Sequence, residues 1–178
     1  MGQTDGTNVA RVGALLLGLG YLAAGLVGFV TTGFTGFVED TSEQLLGLDL
    51  NIFHNLVHLT IGAGLLVASQ VRDVTITQGT LIGVGLFYVL AAVLGFIDYL
   101  QIISVNYGLA VDNFFHLATG SVALLFGLLG ARQQNKSLRS TRGPGGMAVA
   151  AAGPRPIEER RAQWGDTGRQ ETYREETY

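Results

Sequence analysis

Four stretches of this chain carry no Asp, Glu, Lys or Arg: residues 12–38, 50–71, 74–97 and 113–131. Each is long enough for the roughly 20 residues that cross a hydrocarbon core of about 30 Å. Only 14% of the chain is charged, 48% is hydrophobic and 26 residues are Gly, a balance that suits a polytopic membrane protein better than a soluble domain. The sequence therefore predicts an all-α integral membrane protein with transmembrane helices near 11–30, 51–71, 76–97 and 112–131. A short N-terminus, 1–10, precedes this four-helix domain, 11–131, and a tail, 132–178, follows it.

A secretory signal peptide is the competing reading of the first run, since Arg11 precedes it. No A-x-A-like site follows, and the run exceeds a 7–15-residue signal core. It is kept as a helix. The tail is basic and rich in Gly and Ser from Arg132 to Arg155, then mixed in charge, with too little apolar content for a core. It is expected to be disordered, with Arg132, Lys136, Arg139 and Arg142 either marking topology or touching anionic lipid heads.

The charges also orient the chain. Residues 31–50 and 98–112 hold Glu39, Asp40, Glu43, Asp49, Asp98 and Asp112 but no basic residue, whereas all eleven Lys and Arg lie at Arg11, at Arg72 or from Arg132 onward. The positive-inside rule then places both termini in the cytoplasm and both acidic loops outside, in a multi-pass plasma-membrane protein. The absence of Cys excludes disulfides, thiolate catalysis, iron–sulfur clusters and Cys-based zinc sites. The lipid bilayer is the expected partner, and nucleic acid is not.

The chain repeats itself. Asn55, His58, Leu59 and Gly62 spell N-x-x-H-L-x-x-G, and Asn113, His116, Leu117 and Gly120 spell it again; Tyr21 and Gly28 match Tyr88 and Gly95. A helical hairpin repeated in tandem keeps its orientation, so its pseudo-two-fold axis runs along the membrane normal. At 100° per residue, Asn51, His54, Asn55, His58 and Gly62 share a sector of about 100° on the second helix. Small residues accompany Tyr21 and Tyr88 on the first and third helices, and small residues line close helix contacts in membranes. These faces are expected to meet at the bundle centre, with Gly62 and Gly120 as close-packing positions.

All three histidines of the chain, His54, His58 and His116, fall on those faces. Polar groups so deep in a membrane are costly unless paired, and they often mark function. His54/His58 and Asp112/His116 form matched i, i+4 pairs, so three imidazoles and a carboxylate offer a ligand set for zinc, copper or iron. Asn55 and Asn113 would then orient the rings. A second reading is bis-histidine haem held by His58 and His116, with Gly62 and Gly120 leaving room beside the imidazoles. A third reading needs no ligand: the histidines bond one another or the phenols of Tyr21 and Tyr88, fixing helix register through a buried polar network.

N-x-x-H-L-x-x-G in the second helix and D-N-x-x-H in the fourth resemble the bacterial, chiefly actinobacterial, membrane proteins grouped as domain of unknown function 4383. The resemblance covers about residues 9–132, with Asn55, His58, Asp112, Asn113 and His116 as its motif residues. It implies the four-helix architecture and no activity.

No nucleophile–base pair or phosphate-binding loop is visible, so a non-enzymatic protein is expected, structural or partner-binding in role. The alternatives are a metal- or haem-binding protein and an accessory subunit of a larger membrane complex. Gly64, Gly79 and Gly83 are candidate contacts for a homo-oligomer or such a complex, the last two forming G-x-x-x-G.

Overall fold

The computed structural model describes residues 8–34, 36–39, 44–105 and 107–141. Four helices dominate: α1 Val9–Thr32, α2 Ile52–Gln70, α3 Val74–Phe96 and α4 Val111–Thr141. All four are long and apolar enough to cross a bilayer. This is an all-α, multi-pass membrane protein, and lipid is the environment of its outer surface.

Three of the helices start where a side chain can satisfy the amides that a helix leaves unpaired. Asn8 caps α1 through Ala10 N, Asn51 caps α2 through His54 N, and Asp73 caps α3 through Thr75 N. At the other end of α2, the Arg11 guanidinium donates to the Val71 and Arg72 carbonyls at 2.9 and 2.7 Å. A cation on carbonyls at a helix C-terminus is favourable, and here it ties α1 to the α2–α3 turn.

Within each hairpin the helices meet at glycines. A Cβ on Gly62 would stand 2.7 Å from Leu22 N and 2.9 Å from Gly18 O. A Cβ on Gly120 would stand 2.9 Å from both Gly85 O and Val89 N. The same backbone-to-backbone contact is thus built twice, at repeat-related positions. Between hairpins, Asn8 Nδ2 donates to Gly130 O, Val9 N to Gln133 Oε1, and Thr77 Oγ1 to Ala68 O. The buried layer at the axis is Ala10, Ala14, Tyr21, Leu65, Leu81, Tyr88 and Ala123.

Two features depart from the expected boundaries. α4 does not stop near 131 but runs to Thr141. Residues 131–141 hold Ala, Arg, Gln, Lys and Leu and no Gly or Pro, so the helix continues after the apolar run ends. The expected disorder of the remaining tail falls on residues outside those described. The connection before α2 also contains a hairpin, β1 Gln44–Leu45 paired antiparallel with β2 Leu48–Asp49. Leu46 and Gly47 both take positive φ, 56° and 84°, the conformation of a two-residue hairpin turn whose backbone suits the twist of its strands. A short 3₁₀ turn, Gln101–Ile103, precedes α4.

Candidate functional site

The site begins with the cap of α2. Asn51 Oδ1 accepts the His54 N–H at 2.8 Å, and Asn51 Nδ2 donates to Ile102 O at 3.0 Å. This fixes where α2 starts, and so puts His54 in its first turn and His58 one turn deeper on the same side. His54 Nδ1 lies 2.9 Å from the Asp49 carbonyl. A carbonyl only accepts, so this nitrogen carries the proton and Nε2 keeps the lone pair. His54 Nε2 is buried without a hydrogen bond; the Ile103 carbonyl is a neighbour but is outside bonding geometry.

His58 and His116 complete the group. The three rings are 1%, 7% and 5% exposed for His54, His58 and His116, so each is more than nine-tenths buried. One ring nitrogen of each lies within 4.8 Å of one from each of the others. His54 packs against both partners, 4.5 Å from His58 and 5.8 Å from His116 by ring centroids. Nδ1 of His58 and of His116 are buried and unbonded.

Tyr21 and Tyr88 lie against the cluster and mark the pseudo-two-fold axis. Their rings stack at 4.9 Å and 18°, and each tilts against one histidine: Tyr21 on His58 at 5.6 Å, Tyr88 on His116 at 5.3 Å. Neither buried phenol oxygen has a partner in full hydrogen-bond geometry, although each neighbours the other and Tyr21 also faces the Thr119 hydroxyl. The rings therefore pack on the imidazoles and do not tie them into a hydrogen-bonded network.

Asp112 is drawn elsewhere. Its Oδ2 accepts the Asp49 N–H at 2.9 Å, and the three-histidine group does not include it. His54 and Asp112, which occupy equivalent places in the two repeats, thus grip the two sides of one residue: Asp112 takes the Asp49 amide and His54 its carbonyl. The carboxylate positions the loop that positions a histidine.

Asn55 and Asn113 do not reach the rings either. Asn55 Nδ2 donates to Thr32 Oγ1 at 3.0 Å, and Asn113 Nδ2 to Gly108 O at 3.0 Å. Their amide oxygens press against Gly28 and Gly95. Both fasten the bundle at the end that holds the histidines. The room that a haem would need beside Gly62 and Gly120 is taken by the backbones of α1 and α3, and the His54 ring packs against both His58 and His116.

A cavity of about 240 Å³ opens onto the cluster. Leu16, Leu17, Gly20 and Ala24 of α1 form one wall and Phe115 and Thr119 of α4 the other, with Leu48 of the hairpin above. Sequence reasoning missed the hairpin, the Asp49 backbone and this cavity. Main-chain ligands carry no residue signature, and Leu and Gly in an apolar helix read only as membrane surface.

Comparison with known families now bears on this arrangement. The profile of DUF4383, a domain of unknown function, matches residues 11–129. The chain belongs to this family. Its matched region takes in α1 from residue 11, α2, α3, α4 up to residue 129, and every histidine. Comparison with curated proteins and with solved structures finds no match.

Proposed function

We propose that this DUF4383 protein holds a transition-metal ion in a three-histidine site near the outer face of the membrane, and that binding, not catalysis, is its role. One observation carries the reading: three buried imidazoles bring one ring nitrogen each within 4.8 Å of one another, and each ring also has a buried nitrogen without a hydrogen bond. An unsatisfied buried polar group costs about 1–3 kcal/mol, and concentrating several at one point is hard to sustain without a ligand. His54 has the arrangement typical of metal-ligating histidines, with Nδ1–H on a backbone carbonyl and Nε2 free. Imidazole sets suit zinc, copper, iron and nickel. Zinc–nitrogen bonds of about 2.0–2.1 Å put tetrahedral ligand atoms about 3.3 Å apart, so a spacing of up to 4.8 Å closes by modest ring rotation.

A purely structural network fits less well, because it would hydrogen-bond the imidazoles to one another or to the phenols, and each ring keeps a buried nitrogen with no such bond. The charge asymmetry supports an outward site with cytoplasmic termini in the plasma membrane. Membership of a larger assembly is favoured by one observation: a Cβ at Gly64, Gly79 or Gly83 would meet open space, so small residues face lipid.

The test is metal analysis of the full chain purified without chelator, followed by Co²⁺ titration read by the visible absorption of a tetrahedral cobalt site. One ion per chain in the wild type, and none in His54→Ala/His58→Ala/His116→Ala, is the expected result. Equal metal content in the two proteins would overturn the reading.

A further inference from the structure

The cavity above the histidines has its mouth on lipid. Leu16 and Phe115, on its two walls, are 59% and 51% exposed, and Gly20 between them faces open space. These residues lie within membrane-spanning helices. A molecule entering here arrives sideways from the hydrocarbon, so its body must be apolar. Its inner end meets His54, His58 and His116, so it must also carry a polar atom that bonds to imidazole or to an ion held by imidazoles.

Size and charge narrow the class. A cavity of about 150 Å³ accommodates benzene, and 240 Å³ suits a single substituted ring with its tail left in the mouth. Tyr21 and Phe115 offer aromatic faces to such a ring. No Lys or Arg lines the cavity, and the Asp112 carboxylate does, so a phosphate headgroup or a fatty-acid carboxylate would find no protein cation to pair with and a carboxylate beside it. A pure hydrocarbon would leave the imidazoles unsatisfied. What remains is a neutral ring bearing oxygen.

We infer that the cleft between α1 and α4 admits a membrane-dissolved ring compound of the quinone or quinol class, whose ring oxygen meets the three-histidine cluster. The inference rests on the reading that these imidazoles face a ligand and not one another. With a metal bound, three protein ligands leave a fourth position open, as in sites that exchange a ligand. The oxygen of the ring compound takes that position.

The experiment uses the full-length, metal-loaded protein in nanodiscs and a decyl-tailed benzoquinone as probe, with binding followed by calorimetry. Gly20→Phe fills the mouth. Its Cβ has open space, and replacing a helix-interior glycine favours the helix, so the fold is retained. Leu26→Phe, on a lipid-facing part of α1 away from the cavity, is the control for added bulk. Saturable binding to the wild type and to Leu26→Phe, weakened at least tenfold in Gly20→Phe while its metal content is unchanged, is the expected result. Absence of saturable binding to the metal-loaded wild type, or binding equal in Gly20→Phe, would overturn the inference and leave the metal reading standing. Quinone binding that Gly20→Phe abolishes, in a protein that takes up no metal, would overturn the metal reading and support the cleft.

Discussion

The amide oxygen of Asn55 occupies the place where a Cβ on Gly28 would stand, and Asn113 does the same to Gly95. Each asparagine is the first residue of an N-x-x-H motif, and each glycine lies seven residues beyond its hairpin's tyrosine, so one lock is built twice. The amide nitrogens are held on Thr32 Oγ1 and Gly108 O, which leaves the oxygens no direction but the glycine backbone. Contact between an amide oxygen and a helix Cα–H is weakly favourable, and a side chain on the glycine would eliminate it.

Gly28→Ala and Gly95→Ala should therefore each destabilise the bundle, by about 1–3 kcal/mol, the usual cost of overpacking a tight contact. Gly79→Ala and Gly83→Ala, whose Cβ atoms would meet open space, should be neutral or mildly stabilising. Thermal unfolding of the four variants in one detergent checks this. Equal losses in both groups would mean that helix flexibility, and not the asparagine lock, is what glycine supplies.

Removing the histidines should have opposite effects with and without metal. In metal-free protein, His58→Leu/His116→Leu removes two unbonded buried nitrogens. Removing unsatisfied polar groups at similar shape is near neutral or favourable, so the double variant should match or exceed the wild type in melting temperature. Adding Zn²⁺ should raise the wild type by about 2.7 kcal/mol at a hundredfold excess over Kd and leave the double variant unmoved. A wild type that neither gains from Zn²⁺ nor loses to a chelator would count against the site.

Asp112 should affect the site without touching the ion. Asp112→Ala strands the Asp49 amide, whose carbonyl holds His54, and hydrogen bonds to charged groups contribute about 1.5–3 kcal/mol. Metal affinity should fall by roughly 10–100-fold, the range seen when an outer partner of a ligand is lost. Asp112→Asn retains an oxygen that can accept the same amide and should keep most of the affinity. If Asn were as damaging as Ala, the carboxylate would be acting as a ligand.

How much of this was legible in the sequence differs by level. Four charge-free runs, repeated N-x-x-H-L-x-x-G and matched small residues were enough for four helices in two hairpins, because lipid leaves the backbone few alternatives. They also brought all three histidines to one place. The partners of those histidines were not legible. The sequence pairs Asp112 with His116 at i, i+4, yet the connection before α2 turns back through Leu46 and Gly47 and offers the Asp49 amide first. The asparagines look like ring-orienting partners, but their nitrogens find Thr32 at the end of α1 and the Gly108 carbonyl in the loop before α4. In each case a loop main chain or a neighbouring helix end decided the outcome, and neither has a periodicity that a sequence can display.

The last prediction concerns which way the bundle faces. His54 and His116 lie near the ends of α2 and α4 that adjoin the acidic connections 33–51 and 97–110, while Arg11 and Arg72 bond at the opposite end. If positive charge stays inside, the histidines sit toward the external face and α4 carries Lys136 and Arg139 into the cytoplasm. The chain has no Cys, so single cysteines at Glu43 and Ser137 report without background. A membrane-impermeant maleimide applied to intact cells should label Glu43→Cys and leave Ser137→Cys untouched until the cells are opened. The reverse pattern would turn the bundle over, place the histidine cluster in the cytoplasmic leaflet, and make its ligand one supplied from within the cell.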